Sequence, residues 1–300
     1  MPSVTLLRTV AGLLVLGGVI GAAGCGGPTP GGATGTVNVV AAFYPLQFVT
    51  EQVGGDAVTV TTLAKPGAEP HDLELSPRQV AQLADAQLVV YLKGFQPAVD
   101  ESVAQQAEGQ AFDAAAVEPL RDATDEPGTK DPHLWLDPIR LATVADRLAE
   151  RLAQVDPGHA DDVRARARTL RGRLEQLDRE YTDGLKNCPR KEIVTSHAAF
   201  GYLAHRYGLR QVAITGISPE EEPSPQQLAG VAEAARRHRA TTIFFETLVS
   251  PKVAETLASE TGATTAVLDP LEGLEPGSTG DYFSVMRDNL AALEPALGCS

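Results

Sequence analysis

Val37-Asn-Val-Val-Ala-Ala-Phe43, then Tyr44 to Val53, then Val58-Thr-Val-Thr-Thr-Leu63 is the stretch that decides the fold. The first run is apolar and rich in valine, as in a strand covered on both faces, and the last alternates. The segment between them reads as a helix. The pattern continues with Ser76 and Pro77, N-cap and first position of a helix to about Ala86. Leu88-Val-Val-Tyr-Leu92 reads as a third strand, Pro97 to Gln106 as a helix, and a short strand follows near Ala111. Strands separated by helices predict a mainly parallel sheet.

The same pattern returns in the second half. Glu192 to Thr195, Gln211 to Thr215, Thr242 to Glu246 and Thr264 to Leu268 read as strands. Ala198 to Tyr207, Gln226 to Arg239 and Pro251 to Thr261 read as the helices between them. Between the halves, roughly His159 to Lys186, Val163, Ala167, Leu170, Leu174 and Leu177 recur at helical spacing with charges between. At 1.5 Å per residue that helix is on the order of 40 Å long, enough to cross a domain. The expected fold is α/β: two lobes, 37–156 and 188–300, each with a mainly parallel sheet flanked by helices, joined by one long rigid helix over 157–187.

With 300 residues, 43% hydrophobic and 21% charged, the chain is long enough for two such lobes. Residues 1–24 carry one charge, Arg8, ahead of an apolar run too short to span a bilayer, and read as an export signal peptide. Ala22-Ala23-Gly24-Cys25 resembles a bacterial lipoprotein processing site, although leucine is usual where Ala22 stands; an uncleaved anchor is the other reading. Cys25 would then be lipidated, and 25–36, without charge and rich in Gly, Pro and Thr, would be a flexible tether. That places the protein outside the cytoplasm, anchored to the outer face of the cell membrane. Loss of Arg8 takes the formal net charge of −14 to −15, which excludes nucleic acid as a natural partner. Cys188 and Cys299, an even pair in an exported protein, imply a disulfide, with free buried thiols as the alternative.

Asp131-Pro-His-Leu-Trp-Leu-Asp-Pro138 frames His133 between two Asp-Pro pairs. Proline fixes its own φ and biases the preceding residue to extended conformations, so the segment is a stiff loop. Asp137 and Pro138 then start a helix, with Trp135 packed beneath the loop. His71 lies in the turn-rich run Lys65 to Ser76, His197 just after a strand, and Asp269 at the end of the last one. Ligands in open α/β sheets bind beyond the carboxyl ends of strands. Three imidazoles and a carboxylate make a zinc sphere, and ligands so distant in sequence suit an ion held in a cleft. His159, His205 and His238 read as ordinary surface histidines, and Glu220, Glu221 and Glu222 as a solvated face.

Pro-His71-Asp-Leu-Glu, the Asp131 to Pro138 run, Val194-Thr-Ser-His-Ala-Ala-Phe-Gly-Tyr202, Ile217-Ser-Pro-Glu-Glu-Glu-Pro-Ser-Pro225 and Leu268-Asp-Pro270 together resemble the zinc/manganese solute-binding lipoproteins of ABC importers. The resemblance spans about residues 37–299. It implies a metal between two lobes with little hinge closure, and docking of the loaded protein on an ABC permease. It also implies His71, His133, His197 and Asp269 as ligands. Manganese-type members usually carry Glu where His197 stands, so zinc is expected and manganese is the alternative. The histidine-rich loop of many zinc-type members is missing from Arg121 to Lys130.

The expected function is capture and delivery of a divalent metal by a monomer, with no bond made or broken. Glu74 and Asp131 are candidates for orienting the imidazoles. Because imidazoles must be neutral to ligate, affinity is expected to fall below about pH 6.5. The rival readings are a zinc hydrolase with an open coordination position, for which there is no His-Glu-x-x-His helix, and a surface adhesin.

Overall fold

A computed structural model describes residues 35–300 except Asp125 and Pro127; the export segment, Cys25 and nearly all of the tether lie outside the described residues. In the first lobe β1 (Val37–Ala41), β2 (Val58–Thr62), β3 (Leu88–Tyr91) and β4 (Ala111–Asp113) form a sheet in the order β2-β1-β3-β4, every pairing parallel. A two-stranded antiparallel ribbon, β5 (Arg121–Asp122) and β6 (Lys130–Asp131), leads out of it. In the second lobe β7 (Glu192–Thr195), β8 (Arg210–Ala213), β9 (Thr242–Phe245) and β10 (Thr264–Val267) are ordered β8-β7-β9-β10, again all parallel. The two sheets thus share one topology, which is the repeated pattern of the sequence made spatial.

Helices α1 (Tyr44–Gly54), α2 (Pro77–Asp85), α3 (Pro97–Gln106) and α4 (Ala114–Val117) belong to the first lobe. They are followed by α5 (Pro138–Val155) and the 26-residue α6 (Ala160–Leu185). Four more, α7 (Gly201–Tyr207), α8 (Pro225–His238), α9 (Lys252–Thr261) and α10 (Tyr282–Leu297), complete the second lobe. Ser76 and Ser224 each close a reciprocal capping box ahead of a proline at the start of α2 and α8.

Helix α6 joins the lobes. Its stripe Val163, Ala167, Leu170, Leu174, Leu177, Tyr181 and Leu185 is buried. Near its start Arg166 donates to the carbonyls of Val53 and Gly54 in α1. Near its end the Tyr181 hydroxyl donates to Met286 O in α10, at 2.5 Å, and Arg287 pairs with Glu180. One continuous apolar core runs from the first sheet through α5 and α6 to α7 and α10; a smaller one lies under α8 and α9. A shared core resists hinge bending, because opening it would expose apolar surface at roughly 25 cal/mol per Å². Cys188 and Cys299 form a disulfide across a sequence separation of 111, tying the exit of α6 to the chain end.

Two features were not legible beforehand. Helix α10 follows a run of glycine, serine and threonine and contains Pro295, which masks its apolar face of Tyr282, Phe283, Met286, Leu293 and Leu297. The ribbon β5–β6 has two residues per strand, too few for any periodicity.

Candidate metal centre

Each histidine is delivered by a loop pinned at several points. The His71 loop follows β2: Gln96 Nε2 donates to Pro70 O at 3.1 Å, Gly67 N donates to Leu274 O at 2.8 Å, and His71 N donates to Glu69 Oε1 at 2.7 Å. His133 follows β6. Its backbone N–H donates to Asp131 Oδ1 at 2.9 Å, and its ring stands on Trp135, centroids 5.2 Å apart, with Phe43 and Phe95 against that indole. Asp137 caps α5 by accepting from the N–H groups of Ile139 and Arg140, as the Asp-Pro pattern predicts. His197 follows β7, and its carbonyl accepts from Thr195 Oγ1 and Gln211 Nε2, each at 2.8 Å.

The ligand atoms of His71, His133, His197 and Glu272 lie within 4.8 Å of one another, and all four residues are buried. The Nε2 atoms of the three rings sit 3.2, 3.0 and 3.1 Å from a single oxygen, Glu272 Oε1. The opposite nitrogens of two rings are committed: His133 Nδ1 to Asp131 Oδ1 and His197 Nδ1 to Glu246 Oε1, each at 2.8 Å. An ionised carboxylate only accepts, so those Nδ1 atoms carry protons, and in the neutral rings Nε2 presents a lone pair. Lone pairs aimed at an anionic oxygen repel unless a cation lies between them. Ligand atoms of an ion with bonds of about 2.0–2.1 Å in a tetrahedron stand about 3.3 Å apart, close to the three Nε2–Oε1 spacings. Donors and geometry therefore fit a divalent ion, with buried carboxylates behind two of the rings to fix their tautomer.

Without metal, protons fill that role. Burial disfavours the His197 cation, yet the Glu272 and Glu246 carboxylates raise it to about 10. His133 is likewise raised, Asp131 and Glu272 outweighing burial. His71, with no carboxylate on its far nitrogen among the described residues, is lowered by burial, with Glu272 only partly opposing. Burial would raise Glu272, but the three histidines hold it well below the usual carboxylate range. Glu69 is raised to about 8, first by burial and then by the Glu272 charge.

Two expected site residues stand apart from the convergence. Asp269 is not among the converging residues; Glu272, three positions on, stands there instead. The Asp269 carboxylate is occupied, Oδ1 accepting from Leu271 N at 2.7 Å and Oδ2 from Thr247 Oγ1 at 3.0 Å, and burial raises its pKa to about 6. Glu74 is exposed and has no hydrogen bond to a histidine among the described residues, whereas Asp131 Oδ1 is hydrogen-bonded to His133 Nδ1. Sequence reasoning missed Glu272, Glu246 and Glu69. His159 and His238 pair with Asp156 and Glu192, apart from the cluster. Glu220, Glu221 and Glu222 are exposed.

The chain has counterparts among known proteins. The High-affinity zinc uptake system protein ZnuA of Bacillus subtilis is 34% identical over 300 residues, covering 92% of this chain and 93% of that protein. The Zinc-binding protein AdcA of Streptococcus pyogenes serotype M6 is 36% identical over 87% of this chain, but the match spans only 56% of that protein's length. The chain thus spans about half the length of some of the curated relatives it matches. The crystal structure of the Zn(II)-bound ZnuA-like domain of Streptococcus pneumoniae AdcA aligns with a TM-score of 0.77 and 35% identity, covering 88% of this chain and 99% of that one. The family described as ZnuA, zinc-uptake complex component A, periplasmic, matches residues 39–296. The chain therefore belongs to the ZnuA family of zinc-uptake components.

Proposed function

We propose that the protein binds one zinc ion outside the cytoplasm through His71, His133, His197 and Glu272 and delivers it to an ABC permease. The observation that carries this reading is the convergence of three imidazole Nε2 atoms on one buried carboxylate oxygen, with two of the rings held in a metal-accepting tautomer by Asp131 and Glu246. Zinc is favoured over manganese because three of the four donors are imidazoles, whereas manganese prefers oxygen. Zinc-bound relatives with the same fold support the choice. Four protein donors complete a tetrahedron and leave no position for an activated water, which separates capture from hydrolysis. Cys25 would carry the lipid that keeps the protein at the membrane as a monomer.

Zinc uptake by cells deleted for the gene tests delivery. Uptake is restored by the intact chain and not by His133→Ala; restoration by both would refute the site, and restoration of manganese uptake alone would refute the metal.

A further inference from the structure

The loop from Leu268 to Leu274 follows the last strand of the second sheet, and Glu272 reaches the histidines only because the chain turns sharply within it. Leu271 makes that turn in the left-handed region, at φ 59°, although it is neither glycine nor asparagine and is fully buried. Such a conformation persists only where the surroundings impose it. Two groups grip the turn's neighbours: Trp135 Nε1 donates to Pro270 O at 2.7 Å, and Gly67 N donates to Leu274 O. The turn itself is closed by Asp269, whose Oδ1 accepts from Leu271 N and whose Oδ2 is braced by Thr247. Asp269 is in turn fixed at both backbone groups by one side chain: its N–H donates to Asn289 Oδ1 at 2.8 Å and its carbonyl accepts from Asn289 Nδ2 at 2.7 Å. Asn289 lies in α10 and is buried.

We infer that Asp269, anchored to α10 through Asn289, is a positioning residue that sets the Leu271 turn and thereby aims the Glu272 carboxylate at the three imidazoles. The inference rests on the proposed metal function and assigns it a part of the fold that touches no ligand atom. An aspartate side chain accepting from the N–H two residues on is a local turn device. Here the turn it closes decides whether the fourth donor points into the site or along the surface. The second lobe's terminal helix is thereby linked to the quality of the site.

The test is a double-mutant cycle on the full chain, with zinc affinity read by competition against a chromophoric chelator. Asp269→Ala weakens zinc binding by about 10–100-fold, the range for a residue that orients a ligand, with one zinc per chain retained. In the Glu272→Ala background the same substitution costs less than about threefold, because its only route to the metal is gone. Asp269→Asn keeps an acceptor for Leu271 N and loses the one for Thr247; its milder loss also vanishes in the Glu272→Ala background, which keeps the test available if the alanine variant does not fold. Cobalt(II)-loaded Asp269→Ala takes on the visible absorption of cobalt-loaded Glu272→Ala, a signature that general destabilisation would not produce. Equal losses in both backgrounds, or no loss beside wild-type Glu272, would overturn the assignment. Wild-type protein that binds no zinc would overturn the metal function itself, a distinct result.

Discussion

Trp135→Phe tests the support on which the two halves of the site rest. The indole is fully buried against Phe43, Phe95 and His133, and its N–H donates to Pro270 O, so one side chain braces both the His133 loop and the loop that carries Glu272. Phenylalanine keeps an aromatic ring among these edge-to-face contacts and removes the donor, leaving a buried carbonyl unpaired at about 1–3 kcal/mol. The space left by the pyrrole ring, roughly 40 Å³ at about 24 cal/mol per Å³, adds about 1 kcal/mol. The total of about 2–4 kcal/mol is read as the shift in guanidinium midpoint of the metal-free protein at unchanged slope. The loop carrying Glu272 loosens with it, so zinc affinity falls alongside stability. A loss below about 0.5 kcal/mol would show that Pro270 O is reached by water and that the indole does not support the site.

Removing either carboxylate behind a ring, Asp131→Ala or Glu246→Ala, lowers zinc affinity by about 10–100-fold in chelator competition, whereas Glu74→Ala leaves it unchanged. Zinc binding near pH 7 displaces the proton held on His197 and that on His133, so calorimetry in two buffers of different ionisation enthalpy records about one to two protons released per zinc, and affinity rises with pH up to about 10; release of less than half a proton would contradict it. The sign for the metal-free fold is opposite: a His197 pKa raised from 6.5 to about 10 contributes stability that is fully present below pH 6.5 and is lost as pH climbs through about 10. Cys188→Ser with Cys299→Ser lowers stability by about 2–5 kcal/mol, seen in the same unfolding experiment, and leaves zinc affinity within about twofold.

The lobes, sheets and strut were legible because their signals are local: valine-rich runs, Ser-Pro helix starts, and an apolar stripe at helical spacing. The three histidines were legible because each stands beside a turn at the end of a strand or ribbon, where an open α/β sheet places ligands. The fourth converging residue differs from the expected Asp269 for a reason the chain itself displays. In Asp131-Pro132, Asp137-Pro138, Asp156-Pro157 and Asp269-Pro270 the aspartate Oδ1 accepts from the N–H two residues on. Asp-Pro is the chain's turn device, so Asp269 was spoken for and the next carboxylate, Glu272, was free to enter the site. Glu246 follows a strand and Glu69 precedes Pro70; Glu246 meets His197 through the pairing of two strands far apart in sequence, and Glu69 meets the Glu272 charge across the lobes, which no local pattern carries. The expectation of pH sensitivity near 6.5 took each imidazole as free in solvent, whereas buried carboxylates raise His133 and His197 and burial lowers His71.

Native mass spectrometry on residues 37–300, stripped of metal and offered zinc and manganese together at equal concentration, tests the central claim most directly. One zinc per chain, lost in His197→Ala, more readily stripped from Glu272→Ala than from the wild type, and retained in Asp269→Asn, is the result expected from a site of three imidazoles and the Glu272 carboxylate. One manganese per chain, or zinc held as firmly by Glu272→Ala as by the wild type, would contradict it.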